Sequence, residues 1–186
     1  DLPDIVADDV GTSSSSAVMG DTISVTYRID NDGHDYTGSF YWELYLSSDR
    51  TITTNDIELD SYYKSLMSAG STTSNFYKSV TIPTTITGGR YYVGALADIN
   101  TQVSESNENN NDDYYRRVTI DEQSDLTGRT CSAPNTGVVG DYIDSTIQIS
   151  IENDPGGSYI ASSGSFYWAM YLSTDSTITS SDTQVG

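Results

Sequence analysis

GSFYWELYLSSDRTITTND, Gly38 to Asp56, decides the reading of this chain, because it returns as GSFYWAMYLSTDSTITSSD, Gly164 to Asp182. Of the 19 aligned positions, 13 are identical. An internal repeat of this kind sets the architecture before any single residue is interpreted. Within the first copy, Phe40, Trp42, Leu44 and Leu46 alternate with Tyr41, Glu43 and Tyr45. Alternation with a period of two predicts a half-buried β-strand. Further patterned chain follows the first copy, whereas four residues follow the second. The expectation is one whole module over residues 1–121 and the N-terminal half of another over 122–186.

Working outward from that strand, the same alternation recurs. Ile23, Val25, Tyr27 and Ile29 alternate with Thr22, Ser24, Thr26 and Arg28, and run into the turn Asn31-Asp32-Gly33. Ile57 with Leu59, Val80 with Ile82, Tyr91 to Ala97, and Val118 with Ile120 mark further short strands, and Ile5 to Val10 opens the series. About seven strands separated by turn chemistry predict an all-β fold: tandem antiparallel β-sandwiches of immunoglobulin-like or fibronectin type III-like kind, the second incomplete. Ile147, Ile149 and Ile151 replay the second strand, ending at Asn153-Asp154. Cys131, the single cysteine, stands where repeat one has Val10 and is expected to be a small buried hydrophobe.

Composition narrows the partners. The net charge is −19, with 8 Lys plus Arg against 27 Asp plus Glu. Phosphate and anionic headgroups need clustered cations, so nucleic acid and anionic membrane are not expected partners. No apolar run is long enough to cross a bilayer, so no direct membrane insertion is expected. Strong acidity fits solubility, a cation-rich medium or bound divalent ions.

Three segments in order, GSFYWELYLSSDRTITTNDIEL, GGRYYVGALADIN and QVSESNENNND, resemble the CARDB domain, a cell-adhesion-related module of bacterial and archaeal surface and secreted proteins. The segment Glu105 to Asn111 is the most specific part. The resemblance covers Asp4 to Ile120 and the opening half of the same pattern in repeat two. It implies a seven-stranded sandwich in a multidomain extracellular protein, without catalysis of its own.

Candidate chemistry is sparse. His34 is the only histidine and lies in a turn-like segment; no nucleophile–base arrangement surrounds it in the sequence. Two oxygen-rich loops could serve a hard cation such as Ca²⁺. One carries Asp98, Asn100, Glu105, Asn107, Glu108 and Asp112; the other carries Asp49, Asn55 and Asp56, replayed as Asp175 and Asp182. The competing reading is that these side chains cap turns through nearby backbone amides. If Phe40, Trp42 and Leu44 face the core, Tyr41 and Tyr45 face out. By the same parity Tyr92 and Tyr115 face out, and repeat two adds Tyr167 and Tyr171. Such a surface is either ordinary strand propensity or a contact face for another copy or another surface protein. The expected function is a non-catalytic, extracellular, adhesin-like or filament-forming protein. The alternative is a carbohydrate-binding accessory module of a larger secreted enzyme, with tyrosines stacking on polysaccharide.

Overall fold

The computed structural model of the protein describes residues 1–142, 147–154 and 156–185. Two compact units emerge, Asp1–Gln123 with Asp154–Ala161, and Ser124–Asn153 with Ser162–Gly186. The segment Asp154–Ala161, read from sequence as part of the second module, packs with the first. Glu122 N–H donates to Tyr159 O at 2.7 Å, and Ala161 N–H donates back to Glu122 O at 3.0 Å.

Among the described residues the first unit holds nine strands: β1 (Ile5–Thr12), β2 (Ser16–Val18), β3 (Thr22–Asn31), β4 (Phe40–Ser47), β5 (Ile57–Lys64), β6 (Ser71–Thr72), β7 (Phe76–Thr81), β8 (Gly89–Ala97) and β9 (Asp112–Asp121). All seven strands expected from alternation are present, and β2 and β6 are additional short pieces. One sheet runs β1-β3-β6 with β7 also on β3; the other runs β2-β9-β8-β4-β5. Among the described strands one pairing departs from the antiparallel expectation: β2 lies parallel to β9, Ser16 opposite Thr119 and Val18 opposite Asp121.

The core sits between the sheets. Ile5, Val25, Tyr27 and Ile29 meet Phe40, Trp42, Leu44, Leu46, Val93, Val118 and Ile120, all buried. Strands that bury one face present every second residue to the core, and the alternation read from sequence is that face. The polar handles of the large aromatics are satisfied inside it: Trp42 Nε1–H donates to Tyr27 Oη at 3.1 Å. Burial pushes the Tyr27 phenol up to about 12. The turn after β3 is fixed by Asn31, which is fully buried. Its Oδ1 accepts from Asp4 N–H at 3.0 Å and Gly33 N–H at 3.2 Å, and its Nδ2 donates to the carbonyls of Asp35 and Ser68. A Cβ at Gly33 would lie 2.4 Å from the Pro3 carbonyl carbon, so only glycine fits there.

The second unit contains β10 (Leu126–Ser132), β11 (Gln148–Asn153), β12 (Tyr171–Leu172) and β13 (Thr183–Gln184). The β10–β11 pairing starts at Leu126 opposite Asn153, as β1–β3 starts at Ile5 opposite Asn31. Cys131, expected to be buried, is exposed on β10. Its neighbours on β11, Ile149 and Ile151, are themselves exposed, so among the described residues no apolar layer covers this pair of strands. Among the described residues no helix is long and apolar enough to cross a membrane.

Candidate functional site

The outer face of the five-stranded sheet carries the tyrosines singled out from sequence, but two β-bulges redistribute them. In β9, Arg116 and Arg117 both stand opposite the single residue Tyr92, since Tyr91 pairs with Val118 and Val93 with Tyr115. An extra residue reverses the inside–outside parity of everything beyond it. Tyr115, expected to face out, therefore packs against the core, and Tyr114 takes the outward place. In β5 the extra residue is Leu59, because Leu44 pairs with Asp60 and Tyr45 with Glu58. Tyr62 then turns in and Tyr63 turns out.

Tyr41 remains outward and exposed, with its ring 5.2 Å from that of Tyr63 at an interplanar angle of 57°. Tyr45 and Tyr92 are a second correction. Both sit on the outer side of the sheet, yet they are only 2% and 6% exposed. The cause is the 48–56 loop, which folds back over the strands. Its Ile52 lies where a side chain at Gly94 would be: a Cβ on Gly94 would meet Ile52 Cγ1 at 2.3 Å. Glycine at that strand position admits the loop as a small outer layer. Beneath it the Tyr45 hydroxyl donates to Glu43 Oε2, and Ser61 Oγ donates to Glu43 Oε1 at 3.0 Å. Desolvation, with Glu43 alongside, pushes the Tyr45 phenol well above its ordinary value. Tyr92 Oη accepts from Arg50 Nε–H and Arg117 Nε–H, each at 3.2 Å, and its ring meets Tyr114 edge-on at 5.4 Å. The Arg50 hydrogen bond foremost pulls the Tyr92 phenol down. In the second unit Tyr167 is fully exposed and Tyr171, on β12, is half-buried.

The sequence reading thus did not single out Tyr63, Tyr114, Arg50 or Arg117. The signal for the first two was present: apolar spacings of three, Leu59 to Tyr62 and Tyr115 to Val118, interrupt the period of two.

The oxygen-rich loops put their carboxylates on backbone amides. Asp98 is buried at a positive φ of 45°, and its two oxygens accept from Gln102 N–H at 2.9 Å and Val103 N–H at 3.0 Å. Asn107 Oδ1 accepts from Asn109 N–H, and Glu108 Oε1 from Glu105 N–H. Asn100 is exposed. Glu105 is buried: one oxygen accepts from Ile5 N–H and the other from Asn111 Nδ2 at 2.8 Å. It ties the specific ESNENNN segment to the first residue of β1. Burial raises its carboxyl to about 7. In the hairpin loop Asp49 accepts from Thr51 N–H at 2.8 Å and Asp56 from Thr53 N–H at 2.8 Å. Asp175 and Asp182 make the same bonds to Thr177 and Thr179, both at 2.7 Å. Among the described residues no group of three or more His, Cys, Asp and Glu side chains stands ready to hold a metal ion. His34 is exposed in its turn, its N–H donating to Leu2 O.

Comparison with known proteins extends these observations. The chain is similar in structure to the CARDB domain of a Pyrococcus furiosus protein solved in complex with di-metal ions. The two share 17% identity over 64% of this chain and 90% of that one, with a TM-score of 0.49. A domain of a presumed cell-surface protein from Methanosarcina acetivorans gives 21% identity over 64% and 93%, with a TM-score of 0.42. β-Glucosidase 3B from Thermotoga neapolitana, in complex with α-D-glucose, gives 15% identity and a TM-score of 0.39 over 63% of this chain but only 17% of that enzyme. Comparison with curated proteins returns no match. The CARDB family model matches residues 2–114, a span that contains β1 to β8 and the start of β9. The second repeat lies outside that span. By this match and by the sandwich it covers, the chain belongs to the CARDB family.

Proposed function

We propose that the chain is a segment of an extracellular, surface-displayed structural protein, in which CARDB sandwiches space, display and join without catalysis of their own. The observation that carries this reading is the repetition itself: a complete sandwich is followed in the same chain by a second run of its strand, hairpin and turn sequence. Modules strung in this way build length and surface. Membership of a cell-adhesion-related family and a composition rich in Ser, Thr, Asp and Asn agree with it. Joining to other copies would use the outer face of the five-stranded sheet, where Tyr41 and Tyr63 form an exposed ring pair next to half-buried Glu43. Tyrosine supplies large contact area at low entropic cost, which suits it to interfaces.

Sedimentation velocity over a concentration series tests this. The 186-residue chain is expected to self-associate, and Tyr41→Ser with Tyr63→Ser is expected to leave it monomeric at the same concentrations. A wild-type chain that stays monomeric throughout, or a variant that associates equally well, defeats the joining role.

A further inference from the structure

Arg50 and Arg117 reach one place from distant parts of the sequence, the hairpin loop and the β9 bulge. Each donates its Nε–H to the same phenol oxygen, Tyr92 Oη, at 3.2 Å. Two like charges gathered on one neutral acceptor repel each other. Counter-charge is abundant in this chain, and it is used elsewhere: Arg28 is gripped by Asp8, Asp9 and Asp30, and Arg129 by Glu152. Among the described residues neither Arg50 nor Arg117 makes an ion pair. Both are exposed, while Tyr92 beneath them is buried and braced by Tyr114. The bulge sets Arg116 and Arg117 together opposite Tyr92, and the guanidinium carbon of Arg117 lies 5.3 Å from the centroid of the Tyr92 ring. Bulges that re-aim a side chain are frequent beside binding sites.

A guanidinium presents five N–H donors in a flat fork, of which Tyr92 takes one from each arginine. The remaining forks match a planar or tetrahedral oxyanion, and the Tyr92 hydroxyl still has its own proton to donate. We infer that Arg50, Tyr92 and Arg117 form a binding site for the carboxylate or sulfate group of an acidic glycan. A sugar is favoured over an acidic protein surface by two observations. The exposed Tyr114 ring stands next to the arginines and offers a stacking face for a pyranose. A second copy of this chain would approach with a net charge of −19, whereas an acidic glycan presents its charges one sugar unit at a time, spaced along a narrow chain. The site is separate from the Tyr41–Tyr63 pair, so a joining module can carry it whether or not that pair mediates self-association.

Affinity electrophoresis of the full chain through gels containing polygalacturonate, chondroitin sulfate or neutral dextran tests this. Retardation is expected in at least one acidic gel and absent in dextran. Arg50→Gln with Arg117→Gln is expected to weaken binding about tenfold or more, the scale of losing charge-assisted hydrogen bonds. Arg129→Gln, which removes one positive charge from the second unit, is expected to leave affinity unchanged. Arg50→Lys with Arg117→Lys keeps the charge and removes the fork, and is expected to fall between. Thermal melting of each variant establishes that it is folded. Absence of retardation in both acidic gels overturns the proposal, as does equal weakening by Arg129→Gln. So does a double variant that loses self-association in sedimentation while glycan binding persists, because the arginines would then serve an acidic protein surface.

Discussion

The same 19-residue motif occupies two environments in this chain, and the two copies agree in one respect and differ in another. Their turns share the same carboxylate caps. Asp49 and Asp175 hold the amides two residues on, and Asp56 and Asp182 hold those three residues back. Their apolar faces do not agree. Phe40 is 0% exposed and Phe166 42%; Trp42 is 5% exposed and Trp168 58%. Turn chemistry needs only neighbours in sequence, so it forms wherever the sequence occurs. Burial needs the opposite sheet and the flanking strands. In the first unit β8 pairs along β4 and puts Ala97 opposite Trp42 and Ala95 opposite Leu44; in the second, Ile147, Ile149, Ile151, Trp168 and Met170 line an open cavity of about 450 Å³.

The sharpest way to break this comparison is to truncate the tryptophans. Trp42→Ala is expected to cost about 3–5 kcal/mol in urea unfolding, because it empties a packed core and orphans the Tyr27 hydroxyl. Trp168→Ala is expected to stay within about 0.5 kcal/mol. Equal costs would mean that the second copy is covered in solution.

Next comes pH. Glu105 titrates at about 7 in the fold against an ordinary value of 4.5. A carboxyl raised in the folded state binds its proton more tightly there, so its contribution is full below about 4.5 and is lost as pH rises through about 7. The change is about 3 kcal/mol. Glu105→Gln is expected to flatten that part of the stability profile; a profile as steep as that of the wild type would remove Glu105 as its source.

Smaller effects attach to the shared turns. Asp56→Ala is expected to cost about 1 kcal/mol. Asp182→Ala is expected to leave the unfolding of the first unit untouched while speeding hydrogen exchange at the Thr179 amide. Unaltered exchange there would show that the turn holds without its cap. Smallest of all, the melting temperature is expected not to move between chelator and millimolar Ca²⁺, because the loop carboxylates are engaged by amides. A rise with Ca²⁺ would restore the cation reading.

Most of the sandwich was legible because its core strands alternate strictly, as Ile23 to Ile29 and Phe40 to Leu46 do. What parity could not supply was the effect of a single inserted residue. Arg116-Arg117 and Leu59 each reverse the facing of the tyrosines beyond them, which is why Tyr114 and not Tyr115 looks outward. The burial of Tyr45 and Tyr92 was illegible for another reason. It depends on Ile52 folding onto Gly94, a contact between residues 42 positions apart that no local pattern announces. The pairing of Arg50 with Arg117 on Tyr92 is of the same kind. By contrast the acidic loops were half legible. Their residues were found, and the capping alternative is the one their hydrogen bonds support.

The parallel pairing of β2 with β9 has a mechanical consequence. β2 lies near the start of the sandwich and β9 is its last strand, and the two point the same way, joined at Thr119 N–H to Ser15 O and at Met19 N–H to Asp121 O, both 3.0 Å. Tension carried between Ser16 and Asp121 would slide these strands past each other along their length. Shear of this kind strains all the bonds between them together, where an antiparallel end pair would open one bond at a time. A short edge strand with little to add to thermodynamic stability is thus placed to resist pulling.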